Sequence, residues 1–450
     1  KNLAARLDNM TMRGSDPSHV ATMREALKTA QRDIIMAVRR MGIETDFAGG
    51  HTVGWREVQS RLNEHDAAVE FMRLTGEDKK ADPLYVAVVL RSGWESPRIV
   101  ELCRESVLRN YVKNDQLKNR RLYNTPEAWQ LWPLIWQPLQ EYLSEGETVY
   151  FSVDGVMNML NIGAFRPQGE DRRTADERYT LRRLSSTREL CIGREAHEMK
   201  RAVIYGGLNY DMGTDAMARA TSEYRDTDLA VSRTVSRGSL SLAEGMLPDE
   251  NIYSETYHEA VNIAEMLRSC GVEPDLKTDD SGVEESFKAL SGRQFELLHI
   301  ATHGFYMPGH TEYQTSEELL SPMMRSGLML SRKKTLSADD REDGLLLARE
   351  IADMDLSAVD LVVLSACQTA LGDLSGNEIF GLQRGFKQAG VGTIVMTLWQ
   401  IDSQMAQYMM TEFYNNLTVG MERHEAFRDA QAKTKNAYPD KDWAAFIMLD

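Results

Sequence analysis

Residues 297–306 read LLHIATHGFY, an apolar run of strand length that stops on His303 and Gly304. A run without polar alternation fits a strand covered on both faces. Residues 360–369, DLVVLSACQT, repeat this arrangement and stop on Ala366 and Cys367. Helical patterns flank both runs, at residues 253–270, 282–290, 347–352, 378–389, 403–417 and 423–438, with further strands predicted near 327–330 and over 392–398. Strands alternating with helices predict an α/β fold, a mostly parallel sheet with helices on both faces. Ligands of such sheets bind beyond the carboxyl ends of the strands, which is where His303 and Cys367 are placed.

If the two strands are neighbours, an imidazole and a thiol meet at one rim of the sheet. That pair is the minimum for thiol catalysis: the imidazole takes the thiol proton and later protonates the leaving amine. Gly304 lets the backbone turn beside a bound substrate, and the backbone N–H groups of Gly304 and Cys367 are candidate donors to an oxyanion. The competing reading is that Cys367 is a small core residue, as expected of Cys103, Cys191 and Cys270. His299 and His303 make an H-x-x-x-H spacing, but on a strand, without the Glu of a metalloprotease helix and without a nearby third ligand. His299 is therefore expected to be structural, and neither a metal nor a cofactor is expected.

The chain has 450 residues, 42% hydrophobic and 27% charged, with a formal charge of −16. This length holds two or three domains with ample core. The acidic balance argues against nucleic acid as a direct partner, because phosphate binding needs clustered Lys and Arg. Runs such as LYVAVVL at residues 84–90 are far short of the ~20 residues of a membrane-spanning helix. Four scattered cysteines without C-x-x-C spacing fit a reducing, cytoplasmic setting.

Towards the N-terminus the pattern changes. Residues 16–42 carry Val20, Met23, Leu27, Ala30, Ile34, Val38 and Met41 at helical spacing. Helices are also predicted over 55–74, 97–113 and 125–143, a strand over 83–91, and a strand, Asp-Gly turn and second strand over 147–165. Another strand is predicted over 201–210, followed by a polar loop over 211–251 that serves as a linker or a cleavage site. Two helices alone cannot bury both their faces, so residues 1–54 read as the end of a helical repeat array. Because the chain opens on Lys1 in mid-pattern, it is expected to be a piece of a longer one. The expected organisation is a helical segment at 1–54, a mixed α/β half at 55–250 and a second half at 252–450.

LLHIATHGF, DGLLLAREIADMDLSAVDLVVLSACQTALGD and GNEIFGLQRGFKQAGVGTIVMTLWQIDSQMAQYMMTEFYNNL resemble, in this order, the conserved blocks of the CHAT family. This family comprises caspase-like cysteine peptidases, related in fold to caspases and separase and often preceded by tetratricopeptide repeats. EAFRDAQAKTK, DWAAFIML, VYFSVDGVMNMLNIGAF and RLSSTREL are similar to further family stretches, although Val153 and Asn161 stand where proline is common. The resemblance implies a caspase-like α/β fold in which His303 and Cys367 form the dyad.

By similarity to separase, Asp402 in LWQIDS stands where an acidic residue lines the pocket for a basic substrate residue. Asp402 is equally a good cap for the helix starting at Ser403. An extended peptide could add as a strand along Thr397, Trp399 and Gln400, with Trp399 either walling a pocket or filling the core. The expectation is a cysteine endopeptidase acting on a protein or peptide, controlled by its N-terminal helices or an activating protein partner. The alternatives are a non-catalytic caspase-like scaffold and a transpeptidase.

Overall fold

The structure is a computed structural model that describes residues 53–75, 81–113, 123, 127–192, 197–224, 250–306, 322–333, 342–365, 381–399 and 401–450. The helix expected over 16–42 and most of the 1–54 segment lie outside these residues.

The first half contributes α1 (Trp55–Gln59), β1 (Asp66–Leu74), β2 (Leu84–Arg91), β3 (Arg98–Arg104), α2 (Glu105–Lys113), α3 (Glu127–Leu131), β4 (Thr148–Ser152), α4 (Ala175–Arg178) and β5 (Thr180–Arg183). The second contributes β6 (Arg201–Leu208), α5 (Thr214–Ala220), α6 (Glu250–Ser269), β7 (Glu273–Asp279), α7 (Glu284–Lys288), β8 (Leu297–Ile300), β9 (Gly304–Tyr306), α8 (Pro322–Arg325), β10 (Ser326–Met329), β11 (Leu345–Leu347) and α9 (Ala348–Ala352). It ends with β12 (Leu361–Leu364), α10 (Gly381–Gln388), β13 (Thr393–Thr397), α11 (Ser403–Thr418), α12 (Arg423–Ala437) and β14 (Phe446–Leu449).

Both halves share one eleven-stranded sheet in the order β3-β2-β1-β4-β5-β14-β13-β12-β8-β6-β7. Antiparallel pairing occurs at β3-β2, β2-β1 and β14-β13, and the other pairs are parallel. The direction reverses at β13-β14, so β1, β4 and β5 run opposite to β6, β8, β12 and β13. The halves meet where Leu449 of β14 stands beside Arg183 of β5.

Period-two alternation sends β8 into two cores. Leu298 and Ile300 join Phe287 of α7, Ile351 of α9 and Phe386 of α10. Leu297 lies on the opposite face with Ile263 of α6, Phe413 of α11 and Ala430 of α12. Burying each large side chain contributes about 1.5–3 kcal/mol, and β8 and β12 bury every residue. This is the expected α/β arrangement with helices on both faces. Among the described residues no helix is long and apolar enough to cross a membrane.

Four local expectations are corrected. Residues 55–74 form α1 and then β1, not one helix: Ala67, Val69 and Phe71 face one core while Ala68 faces another, and burial on both sides of a strand imitates helical spacing. Residues 97–113 form the edge strand β3 before α2. No second strand follows Asp154-Gly155; the chain makes 3-10 turns at Gly155–Met159 and Ile162–Ala164. Gly155 has φ 55°, and the Tyr85 hydroxyl lies 2.4 Å from where a Cβ would stand, so only glycine turns the chain inward there. The loop expected over 211–251 contains α5 and the start of α6, and residues 225–249 lie outside the described set.

The small sheet β11-β10-β9 stands beside the large one, and close packing at Gly327 holds it together. A Cβ at Gly327 would lie 2.4 Å from the Leu346 carbonyl oxygen and 2.6 Å from Phe305 Cζ. Gly327→Ala is expected to cost about 1–3 kcal/mol, read as a lowered melting temperature.

Candidate active site

β8 and β12 are parallel neighbours, with Ile300 opposite Leu364. His303 is three residues beyond Ile300, and Cys367 is three residues beyond Leu364 in the sequence. Cys367 itself lies outside the described residues, as do Gln400 and residues 307–321 and 366–380.

His303 is half-buried at the junction of the two sheets. Its carbonyl accepts a hydrogen bond from Met329 N at 2.8 Å, which continues the β9-β10 ladder that pairs Gly304 with Leu328. Thr302, just before it, donates to the Met329 carbonyl at 2.5 Å, and the Tyr210 hydroxyl lies 2.8 Å from Thr302 Oγ1. Burial raises the Tyr210 pKa, so this phenol stays protonated. Tyr210 is held in turn by the Met212–Arg332 and Arg332–Asn209 backbone bonds. The imidazole therefore projects from a backbone corner fixed on three sides. Gly304 is buried at the start of β9.

His299 is structural, as its place on β8 implies. It is fully buried between Tyr414, whose hydroxyl is 3.0 Å from Nδ1, and Glu259, 3.2 Å from Nε2. The cysteines that are described do not suit nucleophilic chemistry. Burial pushes the Cys103 thiol up to about 11, and burial raises Cys191 as well. Cys270 donates its S–H to the Leu267 carbonyl at a helix end.

Asp402 caps α11, its Oδ1 accepting from Met405 N at 3.1 Å. The same oxygen is 2.8 Å from Lys441 Nζ, and that hydrogen bond lowers the carboxyl pKa. The cap reading thus has direct geometry, and the carboxylate also receives a cation. Trp399 is half-buried, stacks on Tyr123 with ring centroids 5.7 Å apart, and packs against both cores. Thr397 is buried opposite Phe446, and Leu398 N donates to Ala445 O at 2.9 Å, so β14 occupies one edge of this stretch. Asn161, standing where proline is common in the family, donates to Ala444 O at 2.8 Å and ties the first half to this edge.

Sequence reading missed a buried cluster behind the small sheet. Lys288 Nζ lies 2.9 Å from Glu284, 2.8 Å from Glu342 and 3.1 Å from Glu350, all almost fully buried. Carboxylate oxygens of the three acids come within 4.8 Å of one another, and the cation they share is the Lys288 ammonium. Gly344 N donates to Glu284 and Leu347 N to Glu350, both at 2.9 Å, so the cluster fixes the entry into β11 and through β10 the His303 backbone. Only the i, i+4 spacing of Glu284 and Lys288 was visible in the sequence.

Human tetratricopeptide repeat protein 28 is 26% identical over 218 residues, 42% of this chain and 8% of that protein. The mouse protein of the same name is 30% identical over 109 residues, 23% of this chain and 4% of that protein. The chain thus spans less than a tenth of the length of these relatives. Among solved structures, the Arg-specific cysteine proteinase gingipain R superposes with a TM-score of 0.40 at 11% identity, covering 72% of this chain and 65% of that one. The complex of Porphyromonas gingivalis RgpB pro- and mature domains gives 0.40 at 10% identity, covering 74% and 70%. The CHAT domain family matches residues 125–449, which include β8, β12, His303, Cys367 and the C-terminal strand, and the chain is therefore a member of the CHAT domain family.

Proposed function

We propose that this CHAT domain is a caspase-like cysteine endopeptidase in which His303 and Cys367 form the catalytic dyad. The observation that carries this reading is the in-register pairing of β8 with β12, from which the two residues are equally distant in sequence. The Cys367 thiolate attacks the peptide carbonyl carbon, and the oxyanion that forms is met by the N–H groups of Gly304 and Cys367. Collapse breaks the C–N bond as imidazolium His303 protonates the leaving amine, giving an acyl-thioester. Neutral His303 then takes a proton from water, the hydroxide adds to the thioester, and the carboxylic acid leaves as the thiolate is restored. Asp402 selects a basic residue before the cut, an assignment that rests on its place just beyond β13 and has the substrate cation displace Lys441 Nζ, 2.8 Å from its carboxylate. Trp399 and the Thr397–Gln400 stretch, in this reading, line the path of the extended substrate. The N-terminal helices or a protein partner control access.

Turnover of a fluorogenic peptide panel with basic, acidic or apolar residues before the cut tests the reading. Basic peptides are expected to be favoured, and Asp402→Asn, which retains a capping side chain, to lower kcat/KM for them by about tenfold with little change for apolar ones. Equal turnover of basic and apolar peptides by the wild type would remove Asp402 from this role. The tetratricopeptide-repeat relatives favour a second reading, a non-catalytic scaffold, which requires that no peptide be cut by the folded chain.

A further inference from the structure

At β14 and β5, three and four strands along the sheet from β8, the seam between the halves holds a half-open cavity of ≈ 60 Å³ lined also by α4 and α12. This is room for about four water-sized groups. Its polar lining is unbalanced. Arg183, which ends β5, is 5% exposed, yet its Nη atoms donate only to neutral acceptors: Leu160 O at 3.3 Å, Asn158 O at 3.2 Å and Asn158 Oδ1 at 3.3 Å. Its Nε has no hydrogen-bond partner, and no carboxylate is paired with it among the described residues. Burial pulls its pKa down to about 10, so the guanidinium is charged at neutral pH and strongly desolvated.

A second guanidinium, Arg428, lines the same cavity and also donates to neutral oxygens, Asp176 O at 2.6 Å and Thr180 Oγ1 at 3.3 Å. His424 is answered by Asp450 at 2.5 Å. The acidic group of the lining is Asp176, whose Oδ1 is sealed from solvent without a partner. Burial pushes this carboxyl up to about 7, so near neutral pH it donates a hydrogen bond as readily as it accepts one. A buried cation without a counter-charge is costly, and a planar guanidinium is matched best by a two-oxygen acceptor.

We propose that this cavity is a binding site for a small oxyanion, a carboxylate or phosphate group held by the buried guanidinium of Arg183 with Arg428 beside it. The cavity shares Asp176, Arg428 and Gln431 with a wider groove of ≈ 240 Å³ walled by Trp443, which has space for the rest of a ligand. That groove is lined by acidic Glu177, Glu425 and Asp429 and by Lys435, which is paired with Glu177 at 3.0 Å, so the body behind the anionic head is polar or cationic. Arg183 also accepts a backbone bond from Asp450 N at 2.9 Å, so an anion here fastens β5 to β14 and the two halves to each other.

The test is thermal melting and calorimetric titration of the full chain with sodium acetate and sodium phosphate, against sodium chloride at matched ionic strength and pH. A saturable rise in melting temperature beyond chloride is expected with at least one of them, and which one identifies the head group as carboxylate or phosphate. Half-saturation is expected to weaken at least about tenfold in Arg183→Met and in Arg428→Gln. If Arg183→Met does not fold, Arg428→Gln alone decides. Oxyanions no more effective than chloride, or wild-type half-saturation in the variants, would overturn the proposal.

Discussion

Cys367→Ala and His303→Ala are each expected to lower kcat/KM for the best peptide by about 10⁴-fold or more, and the double variant to be no worse than the worse single one. The non-additivity follows from the chemistry. Without the thiolate there is no acyl-thioester for the imidazole to serve, and without the imidazole the amine leaves unprotonated. Neither variant should melt much below the wild type: His303 is half-buried, and its backbone bonds to Met329 do not depend on its side chain. Peptide hydrolysis and a thermal melt on the same preparations check both parts. The control is His299, only four residues away. His299→Ala strands the buried Tyr414 hydroxyl and empties the space beside Glu259, and loss should appear as instability, about 1–3 kcal/mol for the group left unsatisfied.

The second large effect concerns Lys288. Lys288→Met is expected to cost about 3–5 kcal/mol, a large part of the about 5–15 kcal/mol by which domains are stable, because it leaves the buried acidic groups of Glu284, Glu342 and Glu350 without their cation. Burial opposes the Lys288 charge, but Glu284, Glu350 and Glu342 outweigh it and hold the ammonium above its ordinary pKa. One ammonium cannot balance three carboxylates, so a proton is retained. Burial first, and the Glu284 charge second, push Glu342 up to about 8. Among the described residues no backbone N–H donates to either of its oxygens, whereas Glu284 and Glu350 each accept one.

The sign of the pH dependence follows. The folded chain keeps a proton on Glu342 that the unfolded chain releases near the ordinary value of 4.5. Its contribution to stability is therefore greatest at low pH and declines as pH rises from about 4.5 to about 8, the reverse of a salt-bridged carboxylate. Glu342→Gln keeps the shape and removes the titration, and should flatten this slope. The Lys288→Met, Glu342→Gln double variant should recover part of the single variant's loss. Melting curves from about pH 4 to about pH 9, which bracket the ordinary and the raised value, measure both.

The central strands were legible because residues 297–300 and 361–364 are buried on both faces and read as uninterrupted apolar runs. α11 and α12 were legible from helical spacing and, for α11, from Asp402 as its cap. The same logic failed at β1, where Ala67, Ala68, Phe71 and Met72 supply helix-like spacing to a strand. It failed at β7, EPDLKTD, whose polar residues suit a sheet edge and carry no apolar signal. The neighbouring of β8 and β12 was conditional in the sequence and became definite only through their register. The Lys288 cluster was illegible because EESFK looks like a solvated helix face, and only the approach of Glu342 and Glu350 from distant segments shows it to be interior. Arg183 was hidden for a related reason: nothing in TLRR distinguishes a buried guanidinium from a surface one.

The most direct test of the peptidase reading is intact-mass labelling with peptide acyloxymethyl ketones that differ in the residue next to the warhead. It is run on the wild type, Cys367→Ala and His303→Ala, with exposed Cys270 as an internal measure of unselective alkylation. A single adduct is expected on the wild type, formed fastest with a basic residue next to the warhead, absent from Cys367→Ala and strongly slowed in His303→Ala. An adduct that persists in Cys367→Ala, or a folded wild type that remains unlabelled, would contradict this reading.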